Sequence, residues 1–461
     1  MRQSASIAVS ADENVSPRRP TGLPPGPRVL PLVAARYLAD SYGFYRRCAA
    51  RYGDPFTLRT PWGPLVVTGR REAIEAIFTA PPESFGIFAR TVVEPLLGPT
   101  ALMVTSGREH QRDRRLLTPR FHTRGVSRHV AAMVDRTVEE VRRWPVGQPL
   151  VAQDAMHAIT LEIILTVFFG ATDDRKGALR DALQAVLRTM GPGIAFLPFI
   201  RHEFGGIGPW ARFKRAIRGL DAIAQQMIGE ARRSEPRDDL LSMLVGLRDE
   251  QGQGYTDIEV RDQLISLVYA GHETLAGSLA WTLYWLHRHP ETLDRLRAEL
   301  ATEGDGVERL GSLPYLDAVC NESLRLGPIV PEVTRRLLQP MTLLGYDLPA
   351  GVTVAPSIAL AHLNEEVFPR ALEFLPERFL GRKYSPFEFL PFGGGTHRCL
   401  GASLAMYEKK IVLSTILRCC RFRLVTDGPV APTRRGVLLG PHDGVVLIPE
   451  HVTPAAAPLT A

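Results

Sequence analysis

LPFGGGTHRCLGASLAM, running from Leu390 to Met406, sets a lone cysteine, Cys399, among glycines. Several chemistries can be tested against it. A phosphate cradle of the GxxxxGK[ST] type needs Lys-Ser or Lys-Thr after the glycines, and neither follows. A thiol nucleophile needs a base oriented by a third group, and His397 is too near in sequence to decide that. A zinc set needs four ligands, and only His397 is close. A buried structural cysteine is the usual bland answer. Such a residue does not need Gly393, Gly394, Gly395 and Gly401 around it. A glycine-rich loop lets backbone approach a large planar ligand and lets N–H groups point at sulfur. The residues after Cys399 read as a helix, whose positive N-terminal end also favours a thiolate. A thiolate without neighbouring ligands suits an axial position on haem iron.

The rest of the chain bounds this reading. At 461 residues, 45% apolar and 23% charged, it can bury a large core. A net charge of +6 gives a mildly basic surface, with the arginines scattered through apolar-periodic segments. That argues against a nucleic-acid arm. Five cysteines, an odd number without CxxC, argue against a disulfide scaffold and for a reducing, cytoplasmic compartment. Residues 1–23 hold no apolar run resembling a signal peptide or membrane anchor and read as a disordered, Pro-rich leader. Residues 451–461 read as a flexible tail.

Ala34–Gly53 reads as one helix, and the alternating Pro55–Gly69 as a hairpin turning at Pro61-Trp62-Gly63-Pro64. The pattern is then mostly helical to about residue 300, with irregular stretches at Pro81–Gly107 and Gly191–Pro209. Short strands return from Met341. No βαβ series and no GxGxxG occurs, which disfavours a nucleotide-binding sheet. The longest element starts at a capping box, Thr256 and Glu259, and stops at Pro290. It is apolar on most sides, so it should run through the middle of the molecule. At its centre lies AGHETLAG, Ala270 to Gly277. Either Gly271 permits close packing and Glu273 pairs with an arginine, or something flat lies against Gly271 while Glu273 and Thr274 handle protons beside it.

FGGGTHRCLG resembles the haem-binding signature FxxGxxxCxG of the cytochrome P-450 family, through Phe392, Gly395, Cys399 and Gly401. NESLR supplies an ExxR pair, Glu322 and Arg325, and LPERF resembles the element that adds Arg378. AGHET resembles [AG]Gx[DE]T, and GREHQRDRRLLTPRFH resembles a HxxxR element through His110 and Arg114. All stand in family order, and the resemblance spans Pro24 to Leu447. It implies a mainly α fold: a large helical domain (mainly 71–330 and 399–420) with a smaller antiparallel β-rich part (mainly 55–69 and 335–360), forming one catalytic domain over 24–450.

The resemblance makes Cys399 the proximal ligand of haem b, iron protoporphyrin IX. Phe392, Gly393 and Gly401 would surround the haem on that side, and Ala270 and Gly271 would lie against it on the other. His110, Arg114, Arg335 and His397 are the candidate cations for its propionates. Glu273 and Thr274 would be the distal acid–alcohol pair that delivers protons. Glu322, Arg325 and Arg378 are assigned to structure, as a buried charge network whose cost is offset only if complete. Family topology puts a pocket around Pro81–Thr105, Gly191–Trp210, Leu264–Ala270, Ile329–Thr334 and Val437–Leu439, with Val330, Val333 and Leu438 as lining residues. Glu332 there would orient a polar substrate group or pair with Arg335. Arg112, Arg115, Arg120, Arg398, Lys409 and Lys410 would form a basic face for an acidic ferredoxin or flavodoxin with its reductase. The expectation is a soluble, monomeric, bacterial-type haem-thiolate monooxygenase. It would use dioxygen to hydroxylate or epoxidise a hydrophobic small molecule such as a terpenoid, fatty acid or polyketide. Peroxygenase or isomerase chemistry, or a haem sensor without turnover, are the alternatives.

Overall fold

The computed structural model describes residues 22–88, 90–121, 129–169, 176–191, 194, 200–203, 205–302, 312–425, 428–435 and 437–452. Most of the leader, nearly all of the tail, and much of the expected pocket segment between Gly191 and Pro209 lie outside them.

The long helix forms where the capping box places it, over Asp257–Arg288. The Thr256 hydroxyl accepts from the Glu259 N–H at 3.2 Å, and the Glu259 carboxylate accepts from the Thr256 N–H at 2.7 Å. At ~1.5 Å per residue it spans about 48 Å. Its first half (Val260, Leu264, Ile265, Val268) packs into one apolar cluster with helices Lys176–Thr189 and Pro209–Arg233. Its second half (Leu275, Leu279, Trp281, Leu283) belongs to another cluster, with helices Val130–Val141, Pro314–Leu326 and Ala402–Cys419. Helix Ala152–Phe169 runs beside it and contributes to both. Each buried Leu or Ile there is worth ~1.5–3 kcal/mol of transfer free energy.

The strands are β1 (Phe56–Thr60), β2 (Gly63–Thr68), β3 (Phe85–Gly86), β4 (Leu150–Val151), β5 (Arg335–Leu337), β6 (Met341–Leu343), β7 (Tyr346–Leu348), β8 (Thr353–Pro356), β9 (Cys420–Leu424), β10 (Pro432–Arg435), β11 (Leu438–Pro441) and β12 (Val446–Val452). The largest sheet has the order β1-β2-β8-β5-β3. Only the β2–β8 pair in it is parallel. The predicted hairpin is β1–β2, with Thr60 opposite Gly63.

Two local expectations need correcting. The helix expected over Ala34–Gly53 is two helices, Leu30–Ala39 and Ser41–Tyr52. Asp40 breaks the run with an extended backbone and caps the second helix by accepting from the Gly43 N–H at 2.8 Å. Pro81–Gly107 is not wholly irregular, since Arg90–Leu97 is helical and Val92, Val93, Leu96 and Leu97 are buried.

Glu322 and Arg325 are fully buried on helix Pro314–Leu326. Arg325 makes two bonds to Glu322, at 2.7 and 2.8 Å, and donates to the carbonyls of His362, Ala371 and Glu373. Arg378 closes the cluster onto Glu322 at 3.0 Å. These three side chains thus form one buried, hydrogen-bonded network. It also has an unforeseen member. His362 accepts from the Leu390 N–H through Nε2 at 3.0 Å, so its Nδ1–H faces the Arg325 carbonyl at 3.3 Å. The first residue of the cysteine loop is thereby tied to the most buried charge in the protein.

Candidate active site

The cysteine loop is shaped by three glycines. Gly393 and Gly395 have φ of +65° and +66°, which a side chain resists. A Cβ on Gly394 would fall 2.2 Å from the Phe78 ring, and one on Gly395 would fall 2.9 Å from the Phe78 carbonyl. Two of these glycines therefore serve close packing on the end of helix Arg71–Thr79. The loop closes when the Cys399 N–H donates to the Phe392 carbonyl at 2.9 Å. Helix Ala402–Cys419 begins three residues after the sulfur.

Cys399 is accessible, yet protein surrounds it on most sides, as for a residue on the floor of a deep cleft. Burial pushes its thiol up. The Gly401 N–H, which bonds the sulfur, and the charges of Arg398 and Arg114 pull it back toward thiolate. Arg114 is held there by donating to the Arg398 carbonyl at 2.6 Å.

Around this loop the rings of His110 and His397 stack at 3.9 Å. Burial, reinforced by neighbouring positive charge, pushes His110 down to about 4 and His397 to about 3. That direction favours the neutral imidazoles in the protein by itself, and both rings can serve an anion as N–H donors. Arg335 acts on both electrostatically. It donates to the Thr334 carbonyl at 2.9 Å, while its buried Nη2 has no partner, and burial lowers it to about 10. A buried guanidinium with an open N–H edge requires an anion. An accessible thiol facing a backbone N–H and two guanidinium charges, with an unsatisfied arginine and two imidazoles nearby, fits a haem with its propionates.

The central helix supplies a second surface. Leu267, Ala270, Gly271 and Thr274 are only partly buried, as is Glu273, in an otherwise enclosed stretch, and the spacing of the first four puts them on one stripe. The apolar cavity lined by Leu161, Leu183, Val186, Ile265, Val268 and His272 lies on the reverse side of that helix. A Cβ on Gly271 would come 2.9 Å from the end of the Ile164 side chain, which would have to shift to admit it. The Thr274 hydroxyl donates to the Ala270 carbonyl at 2.6 Å, leaving its oxygen free to accept. Among the described residues Glu273 finds no arginine in contact. Burial pushes its carboxyl up to about 7, with Arg435 opposing weakly from further off. Its neighbours are His157 and His272, which the sequence pattern did not point to.

The other expected residues scatter. Val333 lies near Gly393, Val330 is exposed, and Leu438 is buried in the larger core cluster. Glu332 does not pair with Arg335. It accepts from the Tyr37 hydroxyl, beside Arg434, and so ties the first helix to the strand region. The basic face is also smaller than expected. Lys409 is buried and bonds Ser278 and Ser323; Lys410 bridges Asp317. Arg112 pairs with Asp249 and Glu259, and Arg115 with Glu250. Arg398 stays exposed, and the side chain of Arg120 lies outside the described residues.

The cytochrome P450 family model matches residues 20–448. Cytochrome P450 135B1 of Mycobacterium tuberculosis (strain H37Rv) is 37% identical over 431 residues, covering 92% of this chain and 90% of that one. Cytochrome P450 135A1 of the same strain is 36% identical over 445 residues, covering 93% and 96%. Among solved structures, a cyanobacterial CYP120A1 with retinoic acid bound superposes with a TM-score of 0.84 at 25% identity, covering 94% of this chain and all of that one. The haem domain of cytochrome P450DA gives 0.82 at 23% identity, which speaks to fold alone.

Proposed function

This chain belongs to the cytochrome P450 family, and from that premise we propose that it oxidises an apolar, isoprenoid-like or fatty small molecule at a site framed by Cys399, Thr274 and Glu273. The family fixes the general activity: a haem-thiolate monooxygenase with haem b as cofactor. Bound haem supplies the oxidising chemistry, by which one atom of dioxygen enters the substrate and the other leaves as water.

The protein's own residues have separable tasks. Cys399 would hold the iron, with Gly401, Arg398 and Arg114 opposing the burial that raises its thiol. Arg335, His110 and His397 would anchor the propionates. Thr274 presents a hydroxyl on the open stripe, and Glu273, titrating near neutrality, holds or releases a proton beside it. Leu267 and Ala270 keep that stripe apolar and exclude water. The observation that carries this reading is Cys399 itself: accessible, bonded by a backbone N–H, and ahead of a helix N-terminus.

Support for the substrate class comes from the apolar stripe and from the structural relative that holds retinoic acid. Hydroxylation or epoxidation of a terpenoid, fatty acid or polyketide is the reaction proposed. Electrons would come from an acidic ferredoxin or flavodoxin with its reductase, docking near Arg398, in the cytoplasm. Among the described residues no helix is long and apolar enough to cross a membrane.

The test is spectroscopic. The reduced holoprotein with carbon monoxide should show the red-displaced Soret band of thiolate ligation, and Cys399→Ser should lose it. Lipophilic compounds of the proposed class should shift the ferric iron from low to high spin. Absence of the band would overturn the site. Failure of every such compound to shift the spin state would overturn only the substrate class. Thr274→Ala should divert electrons to hydrogen peroxide; unchanged product per electron would favour peroxygenase or isomerase chemistry.

A further inference from the structure

The surroundings of Glu273 are not those of an ordinary buried carboxyl. Its Oε1 lies 3.6 Å from His157 Nδ1 and 3.7 Å from His272 Nε2, and the two rings are 5.0 Å apart. Both separations are too long for hydrogen bonds, which run about 2.7–3.2 Å between heavy atoms. They are close to what co-ligands of one ion require. With metal–ligand bonds near 2.05 Å, tetrahedral neighbours stand about 3.3 Å apart. All three ligand atoms fall within 4.8 Å of one another.

The donors are in the right chemical state. His157 Nδ1, the atom facing the carboxylate, is buried without a partner; His272 faces the carboxylate with Nε2, and its other ring nitrogen, Nδ1, is also buried without a partner. His272 is almost wholly enclosed, and burial keeps both imidazoles neutral, His157 falling to about 4 and His272 to about 3. Neutral imidazole is the form that binds a metal. An outer contact is also in place. The Gln153 amide nitrogen lies 3.4 Å from His157 Nε2, while the Gln153 amide oxygen is buried without a partner. Turning the amide over would let Oε1 accept from His157 Nε2–H, fixing the tautomer that leaves Nδ1 free to ligate. His157 and Glu273 keep some solvent access, which gives an ion a way in.

We propose that His157, His272 and Glu273 form a binding site for a divalent transition-metal ion of the zinc type. The set is two imidazoles and one carboxylate, with remaining positions open to water, as suits zinc. Occupancy would also take the Glu273 carboxylate out of proton handling, so the ion would act as an inhibitor that uncouples electron use from product. That second consequence rests on the acid–alcohol reading of Glu273 and Thr274; binding itself does not.

The experiment uses the holoprotein, stripped with a chelator and titrated with zinc chloride by calorimetry in a non-coordinating buffer. One site per chain should saturate, with affinity falling at least tenfold in His157→Gln and, separately, in His272→Asn. An intact Soret spectrum in each variant would show that it still folds and holds haem. Anomalous scattering at the zinc edge should place the ion between the three side chains. No saturable binding, or binding unchanged in both variants, overturns the site. In a coupled assay zinc should raise peroxide release in wild type and not in His157→Gln. Binding lost in the variants without any zinc effect on coupling would uphold the site and overturn the role given to Glu273.

Discussion

Arg335 is the residue that would report most directly on a bound anion. Its Nη2 is buried and unbonded, so the side chain costs free energy until a carboxylate reaches it. Arg335→Met keeps the bulk and removes the charge. Losing one charge-assisted hydrogen bond of ~1.5–3 kcal/mol should speed haem transfer to a scavenger protein by about tenfold or more. An unchanged transfer rate would remove Arg335 from the propionate set. Gly394→Ala makes a different demand, because the new Cβ would overlap the Phe78 ring at 2.2 Å. It should destabilise the holoprotein by about 1–3 kcal/mol, read from denaturant midpoints. Residues like these differ in how far sequence reveals them. Cys399 and Arg325 sit in patterns whose spacing is local, so they could be read directly. Phe78, His157 and Tyr37 matter through partners 317, 116 and 295 positions away, counting to Gly395, Glu273 and Glu332, and no local pattern carries that information.

At the scale of elements, two buried polar ties hold the site's supports in register. One runs from Arg325 through His362 to the Leu390 N–H. His362→Leu leaves that N–H unpaired and should cost about 1–3 kcal/mol. Haem retention should fall with it, since the cysteine loop begins there; normal retention in a destabilised protein would show His362 to be structural only. The other tie is Lys409, on helix Ala402–Cys419, which bonds Ser278 of the central helix and Ser323 of helix Pro314–Leu326. Burial lowers its ammonium to about 8. In the unfolded chain it titrates near 10.4, so between these values the unfolded state binds more protons and stability rises with pH. Lys409 therefore weakens the fold by ~3 kcal/mol below pH 8, and that cost disappears as pH climbs through the window. The unfolding free energy of wild type should gain on that of Lys409→Met between about pH 8 and 10.5, and a flat difference would show that Lys409 stays charged. Sequence put Lys409 on the surface because lysine usually belongs there. Its helix is buried on every side from Glu408 to Leu417, and the two serines that receive the ammonium come from other helices.

Across the whole molecule, the site occupies the seam between two cores. The central helix gives Val260 to Tyr269 to one cluster and Leu275 to Leu286 to the other. Residues 270–274, which carry Gly271, Glu273 and Thr274, belong to neither. The fold class and this helix were legible because period, cap and stop all agreed over 32 residues. The seam was not, because which half faces which cluster is decided by helices distant in sequence. Division of labour follows from it: the clusters supply stability, and the segment between them carries Glu273 and Thr274, the polar groups assigned to the site. Haem binds only the folded chain, so removing it should lower stability by mass action, ~2.7 kcal/mol for each hundredfold excess over its dissociation constant. The loss should be uneven. Hydrogen exchange comparing holoprotein with haem-extracted protein should show protection falling at residues 267–274 and 392–401. Helices Val130–Val141 and Pro209–Arg233, anchored within single clusters, should change little. Equal loss in all four regions would mean that the two cores unfold as one unit and that haem, rather than packing, holds them together.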